Sequence, residues 1–165
     1  MSHKCFISYH AADKKAVDDF CEKFNGSFIR RGIKMEDDII NSNNTEYVMK
    51  RVRELYLKDS TVTLVLIGKC TWARRFVDWE VQACLRQPQD GHPNGLVAIQ
   101  LWESYKTLPN RVKLNVNSEY AKFYTYPESS LNLSLMIDEA WNARFNKASL
   151  IVNPRERFSN NRHCE

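Results

Sequence analysis

The segment Val62–Ile67 constrains the fold of this chain more than any other, because it is nearly all apolar and β-branched. An unbroken apolar run without polar alternation is typical of a central strand in a parallel sheet, buried on both faces. Parallel neighbours need long crossover connections, which are usually helices. The segment therefore predicts an α/β fold in which helices cover both faces of a sheet.

Apolar periodicity and turn residues divide the rest of the chain into alternating strands and helices. Besides Val62–Ile67, the predicted strands are residues 5–9, 32–35, 96–102 and 121–126. Alternation of this kind predicts a mostly parallel, five-stranded sheet. We expect one domain over residues 1–146 and a C-terminal extension over residues 147–165, packed on that domain or trailing from it.

Four helices are predicted between and after these strands. The predicted helices are one capped by Asp13, one that carries Val48, Val52, Leu55 and Tyr56, one over residues 74–85, and one over residues 129–145. In the last helix we expect an inward stripe of Leu131, Leu135, Ile137, Ala140 and Trp141. Residues 103–119 show no periodicity and are left unassigned.

Charge and cysteine content narrow the possible partners. The net charge of +4 is spread among acidic residues, so we expect no nucleic-acid binding. The nearest approach to a basic cluster is in the C-terminal extension, where we expect solvated side chains rather than an anion site: Arg155, Arg157, Arg162 and His163.

Five cysteines without a CxxC pair favour reduced thiols in the cytoplasm. Short apolar runs and an N-terminus that leads directly into a strand predict no membrane span and no signal peptide.

Motif comparison excludes several common sites. The chain contains five glycines and neither a dinucleotide-binding nor a P-loop glycine motif. A phospho-acceptor aspartate at the end of the third strand is also missing, because Gly68 and Lys69 stand there. The four histidines lack metal-ligand spacing, and we interpret residues 36–38 as a solvated acidic loop. We therefore predict no metal and no bound cofactor.

Glu80 is the most informative polar residue, because helical geometry surrounds it with apolar side chains. Its neighbours three and four positions away are Phe76, Val77, Ala83 and Cys84. Burial of a carboxylate costs several kcal/mol unless a partner compensates it. Two explanations stay open: Glu80 does chemistry, or it lies at the edge of the stripe or pairs with a basic residue from another element.

Asp78, on the same predicted helix, is one turn from Arg74 and Arg75, and we expect it to be solvated. The predicted helix starts from the edge of the sheet where parallel strands end and where ligands of open α/β sheets bind. We expect three further groups of residues at that edge, because they lie at or after the ends of the first three predicted strands: Ser8 to His10, residues 36–38 and residues 68–72. We expect a ligand crevice there, lined by a carboxylate, several aromatic rings and a few hydroxyls.

These residues resemble a known family. The run Phe6-Ile7-Ser8-Tyr9 with Asp13 is similar to the opening of TIR domains, and residues 61–68 followed by 74–80 are similar to their third strand and third helix. The second block resembles more narrowly the ThsB-type TIR-like proteins of bacterial Thoeris anti-phage defence. The similarity extends over about residues 3–102. Two positions depart from the usual pattern: residues 37–44 lack an arginine–proline pair, and Arg74 stands where serine is common.

The resemblance implies a flavodoxin-like, three-layer sandwich and an enzyme that cleaves NAD+ as its substrate. It assigns Glu80 as the catalytic residue. The candidate substrate-binding residues are Phe6, Ser8, Tyr9, His10, Asp38, Trp72 and Phe76. The implied product is an ADP-ribose-derived signal, expected to be a cyclic ADP-ribose isomer, that activates a separate effector protein. A phage protein as trigger and a homo-oligomer are further implied partners.

Two other functions stay open at this point. The same fold serves as a non-catalytic interaction module, which would associate with itself or dock a partner. A nucleoside deoxyribosyltransferase is a further alternative, in which a glutamate on a similar sheet acts as nucleophile at an N-glycosidic bond. Release of nicotinamide from NAD+ separates the three functions, because only the NAD+-cleaving enzyme is expected to release it.

Overall fold

A computed structural model describes residues 2–32, 44–88, 91–102 and 105–165, and it places five parallel strands in one sheet. The strands are β1 His3–Ser8, β2 Phe28–Arg31, β3 Val62–Ile67, β4 Gly95–Gln100 and β5 Lys122–Tyr124. Their order across the sheet is β2-β1-β3-β4-β5. This order is that of flavodoxin-like folds. The predicted α/β, flavodoxin-like class is confirmed, and every described strand pair is parallel.

Helices cover both faces of this sheet and complete three layers. They are α1 Lys14–Lys23, α2 Thr45–Leu55, α3 Arg75–Leu85, α4 Asn110–Asn117 and α5 Ser130–Asn146. One apolar cluster joins the sheet to α2, α3 and α4, and a second joins it to α1 and α5. All six residues of β3 are buried, as the sequence predicts for a central strand. No helix in the described part of the chain has the length and apolar character that a bilayer crossing requires.

The described strand next to β1 is Phe28–Arg31, which lies before the predicted residues 32–35. Of that predicted strand only Gly32 belongs to the described residues, and it follows β2. Gly32 ends the strand because its backbone has φ +84°, which extended strands do not adopt. A β-carbon at Gly32 would also overlap the carbonyl oxygen of Tyr56 and the ring of Phe6.

Gly32→Ala is therefore expected to lower the free energy of unfolding by more than about 1 kcal/mol, because both the backbone conformation and the space oppose a side chain. Gly26→Ala is the matched control, since nothing lies within 4 Å of a β-carbon there. The control should stay within about 1 kcal/mol of the wild type. Urea unfolding of both variants checks this, and equal stability would contradict the role assigned to Gly32.

Two further sequence expectations are corrected in the last third of the chain. The unassigned residues 103–119 contain α4, an eight-residue helix too short to show clear periodicity. In α5, the predicted inward residues Leu131 and Leu135 are 70% and 58% exposed. The helix is apolar on several sides, so periodicity did not select the stripe that contacts the sheet: Leu133, Met136, Ile137 and Ala140.

The end of the chain lies along α3 as a strap. Residues 153–164, called the C-terminal strap below, hydrogen-bond to side chains of this helix. The indole Nε1 of Trp79 donates to the carbonyl of Phe158 at 2.7 Å. The amide Nε2 of Gln82 donates to the carbonyl of Pro154 at 3.0 Å. The predicted extension thus contributes contacts to the helix that carries Glu80.

The expectation that all five cysteines are reduced is wrong for Cys70 and Cys164, which form a disulfide. Cys70 lies between β3 and α3, and Cys164 lies at the end of the strap, 94 residues later. Local spacing could not indicate this pairing, because the return of the strap along α3 brings the two thiols together. Cys5, Cys21 and Cys84 are free thiols.

Candidate active site

Glu80 has no exposed surface, and its Oε1 accepts a hydrogen bond from Ser8 Oγ at 2.8 Å. Ser8 is the last residue of β1, and α3 follows β3, the strand beside β1. The chain reverses its winding direction between these two strands, and ligands of open α/β sheets bind at such a point. The possibility that Glu80 lies at the exposed edge of its stripe is therefore wrong.

The alternation of side chains along β1 divides the predicted site between the two faces of the sheet. Phe6 belongs to the apolar cluster of α2 and α3, the helix layer that carries Glu80. Tyr9 belongs to the cluster of α1 and α5, on the opposite face, and is 5% exposed. Ser8 and Glu80 therefore meet directly, whereas the Tyr9 ring packs in the other core cluster.

The other predicted site residues lie around the carboxyl ends of the strands or outside the described residues. Phe76 is half-buried one helical turn before Glu80, and its ring makes an edge contact with Trp79 at 5.9 Å. Trp72 is half-buried in the 3₁₀ turn Thr71–Ala73, between β3 and α3. His10 is half-buried where β1 leads toward α1. Asp38 lies outside the described residues.

Asp78 differs from the sequence expectation, because it is buried rather than solvated. Its Oδ1 accepts a hydrogen bond from Arg111 Nε at 2.9 Å, and Arg111 is also buried. Its Oδ2 accepts from the backbone N–H of Phe158 at 2.8 Å. The partner arginine comes from α4, which the sequence did not reveal, so the pairing could not be predicted. Asp78 is thus an ion-paired structural carboxylate.

Asp13 is a second carboxylate at this edge that the sequence analysis interpreted only as a helix cap. It makes no side-chain capping bond to α1. Its carboxylate lies against Gly68, immediately after β3, where a β-carbon would overlap it. Among the described residues Asp13 Oδ2 is buried without a hydrogen-bond partner. The sequence signal was available, since Asp13 and Gly68 both follow strands that end at the same edge.

Burial raises the pKa of the Asp13 carboxyl above its ordinary range. The folded protein then binds more protons than the unfolded chain, so stability falls as pH rises from the unfolded pKa, near 4, through the folded pKa. Asp13→Asn removes this titration. We expect the stability of the variant relative to the wild type to increase between about pH 3 and pH 7. Urea unfolding at several pH values measures the difference, and a pH-independent difference would contradict the assignment.

The strap contributes to the N-terminal end of α3, a role that nothing in the sequence indicated. Asn161 Oδ1 accepts a hydrogen bond from the backbone N–H of Arg75, the first residue of α3, at 2.9 Å. Arg162 N donates to the carbonyl of Ala73 at 2.7 Å. A distant segment therefore satisfies a free N–H of the helix, as a capping residue otherwise does.

No group of three or more histidine, cysteine, aspartate or glutamate side chains in the described residues has an arrangement that could hold a metal ion. The polar groups that the described residues bring to the carboxyl edge include a buried carboxylate with a hydroxyl partner and a second carboxylate against a glycine. Such a set can stabilise positive charge and accept hydrogen bonds from hydroxyls.

Comparison with known proteins identifies the family. The family model described as Thoeris protein ThsB, TIR-like domain, matches residues 6–106, which is more than half of the chain. The matched range contains the second half of β1 and all of β3, α3 and β4, and with them Ser8, Gly68 and Glu80. No curated protein matches the chain. The match and the parallel sheet agree, and the chain belongs to the TIR-like domain family of Thoeris protein ThsB.

Proposed function

We propose that this protein cleaves NAD+ at the bond between nicotinamide and ribose. The observation that carries the proposal is the buried Glu80, hydrogen-bonded to Ser8 where the winding of the sheet reverses. Burying a carboxylate costs free energy. At the edge of the sheet where ligands bind, a buried carboxylate is a candidate for interaction with a ligand.

The chemistry needs little more than this carboxylate. The bond between ribose C1′ and the pyridinium nitrogen breaks, the electron pair goes to the nitrogen, and neutral nicotinamide leaves. No general acid is required, because the leaving group already carries the positive charge. The ribose becomes an oxocarbenium-like cation, and Glu80 opposes its charge at short range. Water or a hydroxyl of the ADP-ribose itself then attacks C1′ and forms the new C–O bond. The attacking oxygen loses its proton to solvent.

The surroundings of Glu80 strengthen this interaction. Val77 has no exposed surface and Trp79 is 6% exposed, so the helix around Glu80 is dry. Electrostatic attraction is stronger where water is excluded. The hydroxyl of Ser8 holds one carboxylate oxygen of Glu80 in place. Since Glu80 is fully covered in this structure, substrate binding must displace a group that covers it.

We extend the proposal to the larger pathway that the family resemblance suggests. In this proposal the product is a cyclic ADP-ribose isomer that diffuses in the cytoplasm and activates a separate effector protein, and a phage protein switches the enzyme on. Self-association of the chain is part of the same proposal. Phe76, Trp72 and His10 lie around the approach to the carboxyl edge and are proposed substrate contacts, together with Asp38.

The test is release of nicotinamide from NAD+ by the purified protein, alone and with lysate of phage-infected cells, followed by chromatography. We expect nicotinamide and an ADP-ribose-derived product. NADH is the matched control, because its neutral dihydronicotinamide is a poor leaving group and should remain intact. No nicotinamide under either condition would support an interaction module. Base exchange on deoxynucleosides with NAD+ unchanged would support a deoxyribosyltransferase.

A further inference from the structure

A cavity lies between α3, α4 and the C-terminal strap, and neither Ser8 nor Glu80 lines it. Its volume is about 340 Å³, within the size range of small-molecule sites. The side chains around it come from the three segments and are rich in arginine: Asp78, Asn110, Arg111, Leu114, Pro154, Glu156, Arg157, Phe158 and Arg162. None of these residues has a role in the proposed NAD+ cleavage.

Arg111 is a buried cation in the wall of this cavity and is 4% exposed. Its guanidinium carries five N–H donors, of which the described structure uses four. Nε donates to Asp78, Nη1 donates to Asn153 Oδ1 and the carbonyl of Pro154, and Nη2 donates once, to the carbonyl of Glu156. The second N–H of Nη2 has no acceptor among the described residues. A buried donor of this kind needs an acceptor from a ligand or water.

Arg162 supplies a second set of donors at the same cavity. Its guanidinium stacks on the ring of Phe158 at 4.8 Å and makes no hydrogen bond or ion pair with the described residues. The stacking contact holds the side chain while its N–H groups stay available. Arg157 is the third arginine around the cavity. It lies over the ring of Trp79 at 5.2 Å and donates from Nη1 to Thr45 Oγ1 at 3.0 Å, so it contributes charge rather than an available donor.

The acidic residues at the cavity do not cancel this charge. Asp78 is already neutralised by Arg111 and by the N–H of Phe158. Glu156 is the other carboxylate there, and it is exposed. Three arginines therefore face two carboxylates. The N-terminus of α4 adds positive potential, because Asn110 and Arg111 are its first residues and Pro109 provides no side-chain acceptor.

We infer that this cavity binds a phosphorylated small molecule, with its phosphate oxygens on Arg162 and on the remaining donor of Arg111. Arginine forks match the geometry of phosphate oxygens. Phe158 and Leu114 offer an apolar wall for the rest of the ligand. The inference goes beyond NAD+ cleavage and does not rest on it. It also differs from the expectation that the basic residues of the strap are solvated.

Inorganic pyrophosphate is the probe, and its binding to the full chain is measured by titration calorimetry at about 0.15 M ionic strength without NAD+. We expect the wild type to bind pyrophosphate saturably, with a Kd of about 1 mM or lower. The affinity of Arg162→Gln for pyrophosphate should be lower than that of the wild type by about tenfold or more. Arg155→Gln is the matched control: Arg155 is an exposed arginine of the strap that does not line the cavity. The affinity of this control for pyrophosphate should stay within about twofold of the wild type, because solvent and salt screen an exposed charge that does not line the cavity.

A further variant separates this site from the candidate active site. Glu80→Gln should bind pyrophosphate as the wild type does, because Glu80 does not line this cavity. Adenosine, which lacks phosphate, should not compete with pyrophosphate. The inference is overturned if the wild type does not bind pyrophosphate, if Arg162→Gln and Arg155→Gln bind it equally, or if Glu80→Gln abolishes binding. Because no turnover is measured, these outcomes leave the proposed NAD+ cleavage standing.

Discussion

Glu80→Gln is expected to lower the rate of nicotinamide release by about 10²–10³-fold, the range seen when one preorganised electrostatic contact is removed. Glutamine has nearly the shape of glutamate, and its side chain can keep a hydrogen bond with Ser8, which bonds to Glu80 at 2.8 Å. It carries no negative charge to oppose an oxocarbenium-like ribose. The fold should therefore remain while the chemistry is lost.

Single-turnover nicotinamide release and urea unfolding are measured together on this variant. The matched control is Glu22→Gln on α1, an isosteric change at an exposed glutamate, which should leave the rate unchanged. If Glu80→Gln releases nicotinamide at the wild-type rate, Glu80 is not the catalytic group. If the variant loses both stability and turnover, the role of Glu80 is to stabilise the fold.

Asp78→Ala is expected to have the largest effect on stability, lowering the free energy of unfolding by about 3–5 kcal/mol. The substitution leaves Arg111 buried without its counter-charge, and it removes the acceptor of the Phe158 N–H. Arg111 also hydrogen-bonds three residues of the strap: the side chain of Asn153 and the carbonyls of Pro154 and Glu156. The loss should therefore loosen the strap as well. The measurement is the midpoint of urea unfolding, with the slope checked for two-state behaviour.

The control for this prediction is Asp19→Ala, which removes an exposed partner of Lys15 on α1. Exposed ion pairs contribute about 0–1 kcal/mol, so the control should be nearly neutral. Replacing both buried partners, as in Asp78→Leu with Arg111→Met, should recover part of the lost stability, because no charge then remains unpaired. Equal stability of Asp78→Ala and Asp19→Ala would show that the buried pair does not hold α3, α4 and the strap together.

The two carboxylates of α3 show why helical spacing alone misjudged one of them. Asp78 is close to Arg74 and Arg75 in sequence, and this proximity predicted a solvated position. In the structure its partner is Arg111, 33 residues later, so the burial of Asp78 depends on a contact between helices. Glu80, by contrast, is flanked by apolar residues on its own helix. Its burial was therefore predictable from neighbours three and four positions away.

Tyr9 is a different case, because the information was present but not used. Side chains alternate along a strand, so Ser8 and Tyr9 must point to opposite faces of the sheet. The prediction grouped them because both lie at the end of the same strand. In the structure Ser8 hydrogen-bonds Glu80, whereas Tyr9 lies in the cluster of α1 and α5.

Local patterns sufficed for the sheet, the helix that carries Glu80 and the family, because these depend on residues close together in sequence. The buried run Val62–Ile67 and the apolar neighbours of Glu80 are such patterns. Contacts between distant segments required the folded chain: the Asp78–Arg111 pair, the strap along α3 and the Cys70–Cys164 disulfide. Each joins residues whose separation leaves no periodic signal, since their proximity arises only when the helices pack on the sheet.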